Sequence, residues 1–182
     1  MSIYVISHIL EKYSQVHLLK IKGGKIMSFH KENDFNWEGI EKVDYKTSST
    51  DGPISFNKTD RHTLVGDGQN TYFHTRYFEC DGGGYSSLEK HAHVHVVIAA
   101  RGKGVVIVDD EVYEVKPHDL IVIPPWAKHQ LVNASGTEPF GFFCIVDADR
   151  DRFQTLTKEE VAEMQKNEKV AKAIRVHEKY WG

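Results

Sequence analysis

Sulfur is scarce in this chain. Its two cysteines, Cys80 and Cys144, each lie in an apolar, strand-like run. Two thiols cannot build the disulfide framework that stabilises small secreted domains, so both read as free and buried. No apolar run approaches the roughly 18 residues that a membrane-spanning helix needs. No basic block is present either. Lys plus Arg number 23 against 26 Asp plus Glu, a net charge of −3, which removes the electrostatic case for nucleic acid. Met1 to Leu10 lacks a charged leader and His8 interrupts its apolar run. It does not read as a signal peptide, and the expected compartment is the cytoplasm. Nine Phe, eight Tyr and three Trp are too many for a solvated coil. What is plentiful is histidine, with 11 in 182 residues, and imidazole is the commonest metal ligand. The length suits one domain with its own core.

Residues 1–60 show little periodicity. Tyr4 to Ile21 admits a helix or two strands, and Gly23-Gly24 marks a turn. Asn33 to Asp60 is polar and irregular, and reads as an arm packed on the following domain, with Trp37 and Tyr45 as anchors. From about residue 61 the pattern changes to period two. Thr71 to Cys80 is rich in strand formers and is expected to stop at Asp81-Gly82-Gly83-Gly84. Val105–Val108, Asp109-Asp110 and Glu111–Val115 read as a hairpin. Leu120–Ile123 and Phe140–Val146 are further strands. Short strands with close turns predict an antiparallel sandwich or barrel over 61–150. The tail, 151–182, differs. Thr157 and Glu160 have capping-box spacing ahead of Val161, Met164, Val170 and Ile174, so it reads as a C-terminal helix, broken near Asn167.

The chemistry concentrates in one stretch. Glu89, His91, His93 and His95 share parity, so in a strand they face one way, while Ala92, Val94 and Val96 face the other. Three imidazoles and a carboxylate on an inward face are costly unless a cation compensates them. Residues six apart on a straight strand lie roughly 20 Å apart, so one ion can use them only where the chain bends.

These residues carry a resemblance to the cupin superfamily. Its first motif runs glycine, five residues, His-x-His, three or four residues, Glu, six residues, glycine. Here Gly83 is followed by five residues, Glu89-x-His91, three residues, His95, six residues and Gly102. Its second motif runs glycine, five residues, Pro-x-Gly, two residues, His, three residues, Asn. Here His118 is followed by five residues, Pro124-Pro125-Trp126, two residues, His129, three residues and Asn133. Glu89 stands where the family has its first His, and His95 where it has Glu. His118 and Trp126 replace two turn glycines, at sites that favour positive φ.

The resemblance implies an all-β double-stranded β-helix, the cupin jelly-roll barrel, carrying the N-terminal arm (1–60) and the C-terminal helical tail (151–182) outside. It implies one divalent transition metal (Fe, Mn, Ni, Cu or Zn) on nitrogen and oxygen ligands. His91, His95 and His129 are the implied ligands, with Glu89 as the fourth. His93 is the alternative ligand, and otherwise a group that orients a ligand or touches substrate. Trp126 is placed at the pocket rim. Asn133 reads as a residue that bonds backbone at a strand end, Asp119 as a turn residue beside the second motif, and Asp147 to Arg152 as a surface charge network. The expected function is that of a metal-binding cupin, a dioxygenase-like enzyme acting on a small oxygen-bearing organic molecule. The alternatives are a metal-dependent isomerase or lyase, and a non-catalytic module that binds a small molecule or metal. A homodimer is the family's usual assembly.

Overall fold

The structure, a computed structural model, describes residues 17–20, 26–46, 56–66, 68–150 and 152–176. The chain divides into two compact units, residues 1–42 and 43–182. Among its described residues the first holds two hairpins. Strands β1 (His17–Lys20) and β2 (Ile26–Phe29) pair antiparallel. Strands β3 (Glu32–Asn33) and β4 (Asn36–Trp37) meet across Asp34-Phe35. Both turn residues have positive φ, 48° and 59°, as a two-residue turn matched to strand twist requires. Trp37 lies on this hairpin. Two-residue strands carry no readable hydrophobic period, which is why the segment looks irregular in sequence.

The second unit is the barrel. After β5 (Lys42–Asp44) come β6 (Asn57–Val65), β7 (Phe73–Tyr85), β8 (Glu89–Lys90), β9 (His95–Arg101), β10 (Gly104–Val108) and β11 (Glu111–Val115). Then follow β12 (Leu120–Ile123), β13 (His129–Val132), β14 (Phe140–Asp147) and β15 (Gln154–Thr155). They form one curled 11-stranded sheet with the path β11-β10-β13-β7-β14-β9-β12; β6 joins β7, and β8 joins β13 and β15. The crossovers are those of a double-stranded β-helix, the jelly roll expected from the sequence.

Period two decides what each face buries. On β10 and β13, Val106 and Leu131 enter the barrel interior with Phe78, Val97 and Phe142. Their chain neighbours Ile107 and Val132 face the other way, into a second cluster with Val161, Met164 and Val170. That outer cluster seats the tail, which is α1 (Lys158–Met164) and α2 (Glu168–Ala173). The capping box at Thr157 and Glu160 is present, and Asn167 caps α2 where the break was expected. Gln130, fully buried, ties the tail to the sheet. Its Nε2 donates to the Arg175 carbonyl and its Oε1 accepts from the Arg175 amide, both at 2.8 Å.

Strand β7 differs from expectation. It does not stop at Asp81 but runs through the glycines to Tyr85. A side chain at Gly84 would stand 2.6 Å from the Lys58 carbonyl oxygen. Here glycine lets β6 close on β7 beside a register shift instead of ending the strand. Tyr45 enters the barrel core, edge-on to Phe56 and Phe78. No helix among the described residues is long and apolar enough to cross a membrane.

Candidate metal centre

Three imidazoles converge inside the barrel. His129 opens β13 and His95 opens β9, while His91 lies in the bent segment between β8 and β9. One ring nitrogen from each lies within 4.8 Å of the others, so small side-chain adjustments bring all three to one ion. The bend across Ala92 and His93 resolves the reach problem posed by a straight strand.

Hydrogen bonds fix which nitrogen each ring offers. His91 Nδ1 lies 3.0 Å from the His93 carbonyl oxygen, and His129 Nδ1 lies 2.9 Å from that of Ala127. A carbonyl only accepts, so Nδ1 carries the proton in both rings and Nε2 keeps its lone pair. Both Nε2 atoms are buried without a hydrogen-bond partner. Burial, then the neighbouring His129 and His93 rings, pull His91 down to about 4. Burial likewise lowers His95 and His129, with Glu89 opposing the shift at His129. All three are neutral at pH 7, as ligand imidazoles must be. Orphaned buried lone pairs on neutral rings are what a divalent metal satisfies, so the residues fit the implied ion.

Glu89 and His93 line the same cavity as the three imidazoles. Glu89 pairs with His129 where β8 meets β13. Its carboxylate is not part of the close imidazole set. Instead, Lys46 Nζ and Ser87 Oγ both donate to Oε2. Burial pushes Glu89 up, but Lys46, His129 and these two hydrogen bonds outweigh it and hold the carboxyl at about 2. The His93 ring stacks on His91 with centroids 3.5 Å apart, and its Nε2 lies 3.2 Å from His95 Nε2. Trp126 is not among the residues that line the cavity. It is half-exposed, and its amide donates to the His91 carbonyl at 2.7 Å, so it positions backbone beside the site. Asn133 Nδ2 donates to the carbonyls of Cys80 and Glu138, as a strand-end residue should.

The cavity has a volume of about 230 Å³, room for a small molecule and not a polymer. Several lining residues carry no signal in the sequence motifs. Lys46, Arg61, Arg76, Arg150 and Arg152 bring positive charge to it, and Phe153 adds an aromatic wall. Lys46 Nζ lies 3.5 Å from the Phe153 ring centroid. Arg150 and Arg152 face this cavity, although their sequence context suggests a surface network. Cys144 is buried and free, as expected, yet its thiol borders the cavity and accepts from Arg76 Nη2 at 3.5 Å. Burial raises its pKa, with Arg76 opposing.

Residues 76–146 match the cupin domain family. A curated relative from Rhodospirillum rubrum, 1-methylthio-D-xylulose 5-phosphate methylsulfurylase, is 35% identical over 140 residues, which is 77% of this chain and 86% of that protein. The chain belongs to the cupin family. Among solved cupins, a cupin 2 conserved barrel domain protein from Rhodopseudomonas palustris is 38% identical with a TM-score of 0.72, covering 82% of this chain and all of that one. A cupin 2 domain-containing protein from Halorhodospira halophila is 41% identical with a TM-score of 0.63, covering 81% of this chain and 95% of its own. In this cupin the departures at the two motif glycines are accommodated by backbone. His118 has φ 78° and Trp126 has φ 65°, so both non-glycine residues adopt the left-handed conformation that the motif positions favour.

Proposed function

We propose that this cupin is a metal-dependent enzyme acting on a small oxygen-bearing molecule at a carbon beside a carbonyl. The observation that carries the reading is the pair of buried, unpartnered Nε2 atoms on His91 and His129, with their Nδ1 protons already committed to backbone. His91, His95 and His129 hold the ion. Glu89 completes the set through Oε1, because Lys46 and Ser87 occupy only Oε2. A divalent ion supplies Lewis-acid polarisation of a carbonyl oxygen when bound. Lys46 is the proton-handling group. Burial lowers its pKa, with Glu89 opposing, which moves a lysine toward the range where it exchanges protons near neutral pH. On this ground isomerase- or lyase-type chemistry is proposed ahead of dioxygenase action. The Rhodospirillum rubrum relative, named for a small sugar phosphate, supports a small oxygen-bearing substrate.

Elemental analysis of protein purified without added metal tests the first half, and one divalent ion per chain is expected. Solvent deuterium exchange into a hydroxyketone, set against dioxygen uptake, tests the second. Exchange without uptake supports the reading. Uptake without exchange restores the dioxygenase, and metal-free protein of full stability refutes both.

Cys144 favours a second reading, carbon–sulfur chemistry. Arg76 favours its thiolate. In this reading Cys144 attacks the sulfur of a methylthio group beside a carbonyl, forming a Cys–S–S–CH3 disulfide as the carbon–sulfur bond breaks. The electron pair of that bond passes to an enolate, which is then protonated. The relative is a methylsulfurylase. Cys144→Ser should abolish release of the methylthio group from 1-methylthio-D-xylulose 5-phosphate while leaving metal content unchanged. Normal release by that variant removes this reading. We also propose a homodimer, working in the cytoplasm. Strand β12 ends the sheet path and exposes Leu120 and Val122, and a monomer by light scattering would end it.

A further inference from the structure

Two guanidinium groups share the cavity wall, and among the described residues neither forms an ion pair with an acid. Arg61 and Arg76 lie on β6 and β7, where Thr63 pairs with Arg76 and Arg61 with Phe78. They are therefore diagonal neighbours on one sheet face, within reach of each other's long side chains. Both line the cavity. The ion pairs seen among the described barrel residues fall on Lys46–Glu89, Lys90–Glu160, Arg101–Glu79 and pairs of the surface and tail; none involves Arg61 or Arg76. The Nε atoms of both are buried without a hydrogen-bond partner. Arg76 donates to Cys144 Sγ at 3.5 Å and lies 5.1 Å from the Phe78 ring, neither of which carries a formal negative charge to offset it. Burial and then Arg76 lower the pKa of Arg61, the mark of like charges held together.

Such a pair is unfavourable unless an anion completes it. We infer that Arg61 and Arg76 form an oxyanion subsite that holds the phosphate of a phosphomonoester substrate. The inference rests on the reading of the imidazole site as a small-molecule enzyme centre, and it names the other end of that molecule. Two adjacent forks of N–H donors suit a tetrahedral dianion, and a phosphomonoester carries that charge at neutral pH. A simple carboxylate brings half the charge and too few oxygens for both forks. Arg61 precedes the stretch matched to the cupin family, and Arg76 is its first residue, so the pair is not part of the general cupin metal motif. Arg150 and Arg152 reach the same cavity and engage other groups as well, so the subsite is assigned to the β6–β7 pair.

The test is calorimetric titration of the full, metal-loaded chain with glycerol 1-phosphate, with inorganic phosphate and propionate in parallel. Saturable binding of both phosphates, weaker binding of propionate, and at least a tenfold rise in Kd for Arg61→Met at unchanged metal content are expected. Without phosphate, Arg61→Met should melt no lower than the wild type, because a repulsion has been removed. Should it fail to fold, Arg61→Lys keeps the charge and loses the fork, and its Kd should still rise. Wild-type protein that holds its metal but binds no phosphate overturns the subsite. Equal phosphate affinity in the Arg61 variant overturns it too, since the metal would then be the phosphate's anchor, and equal affinity for propionate overturns the substrate class. A protein that binds phosphate but no metal leaves the subsite standing and defeats the metal-enzyme reading instead.

Discussion

Lys46 and Glu89 form an ion pair inside the barrel, with 17% and 7% of their side chains exposed. The pair sits beside His129, so it couples the arrival of a metal to the electrostatics of the interior. Its sign follows from Glu89, whose carboxyl is held at about 2, below the ordinary value of 4.5. A carboxyl with a depressed folded pKa adds stability above its unfolded value and loses it as pH falls toward the folded one. In metal-stripped protein, stability should begin to fall below about pH 6.5, because the unfolded chain protonates His91, His95 and His129 before the folded one does, and Glu89 adds a further fall from about pH 5 toward pH 2. Glu89→Gln should cost on the order of 2 kcal/mol at pH 7 and almost nothing near pH 2. Thermal melts across that range check it, and a variant equally destabilised at both ends would mean that the pair contributes packing alone.

Removing the other partner should act differently. Lys46→Met leaves Glu89 buried without its ammonium, so at pH 7 the metal-free protein should lose on the order of 3 kcal/mol. Added metal should recover part of this loss, because the ion replaces the missing positive charge. If Lys46 handles the substrate proton, deuterium exchange should vanish in the metal-loaded variant, and undiminished exchange would dismiss that role.

His129→Ala should remove most of the bound metal, because β13 supplies no other ligand to the imidazole set. His93→Ala should retain it and alter only catalysis, since His93 stacks on His91 and contacts His95 without belonging to the close set. Metal-to-protein ratios in the two variants decide the matter. Full metal in the first, or none in the second, would reassign the ligands.

The first-motif members of the candidate metal centre are legible in sequence because their signal is local. Glu89, His91 and His95 lie within seven residues, share strand parity, and sit between Gly83 and Gly102 at a fixed spacing. The hairpin of β10 and β11 and the capped tail helices are legible for the same reason. Lys46, Arg61 and Arg76 are not, since each comes from a different part of the chain and only sheet topology brings them to one cavity. Arg150 and Arg152 carry a second role that the sequence does not show, because alternating acids and bases after a strand usually mark solvent, and these two also border the cavity. Strand β7 is misread at its end because Gly82 to Gly84 has the composition of a turn, whereas its backbone stays in the sheet to admit β6.

Gly102 should tolerate no side chain. Its φ is 61°, and an added Cβ would stand 2.1 Å from the Pro139 carbonyl oxygen. Backbone must move to relieve that contact, so Gly102→Ala should cost about 2 kcal/mol or more. Chemical denaturation measures this directly. A loss below about 0.5 kcal/mol, the size of an ordinary surface change, would show that the β9–β10 turn has room to shift.

His118 and Trp126 offer the converse experiment. Both stand in the left-handed region, at φ 78° and 65°, where a non-glycine residue carries strain of order 1 kcal/mol or more. Each amide is already committed, His118 to the Ala99 carbonyl at 2.8 Å and Trp126 to that of His91 at 2.7 Å, so the turns are held by backbone and do not need these side chains to form. His118→Gly and Trp126→Gly should each relieve native strain while raising the entropy of the unfolded chain, two effects that oppose each other. Trp126 is 53% exposed, so little packing is lost with it. The balance should leave Trp126→Gly within about 1 kcal/mol of the wild type, far less than removal of a buried tryptophan would cost. Metal content should be unchanged as well, because Trp126 meets the site only through its amide at the His91 carbonyl. A large loss of stability, or of metal, in that variant would show that the indole itself supports His91, and would return Trp126 to a working place at the mouth of the pocket.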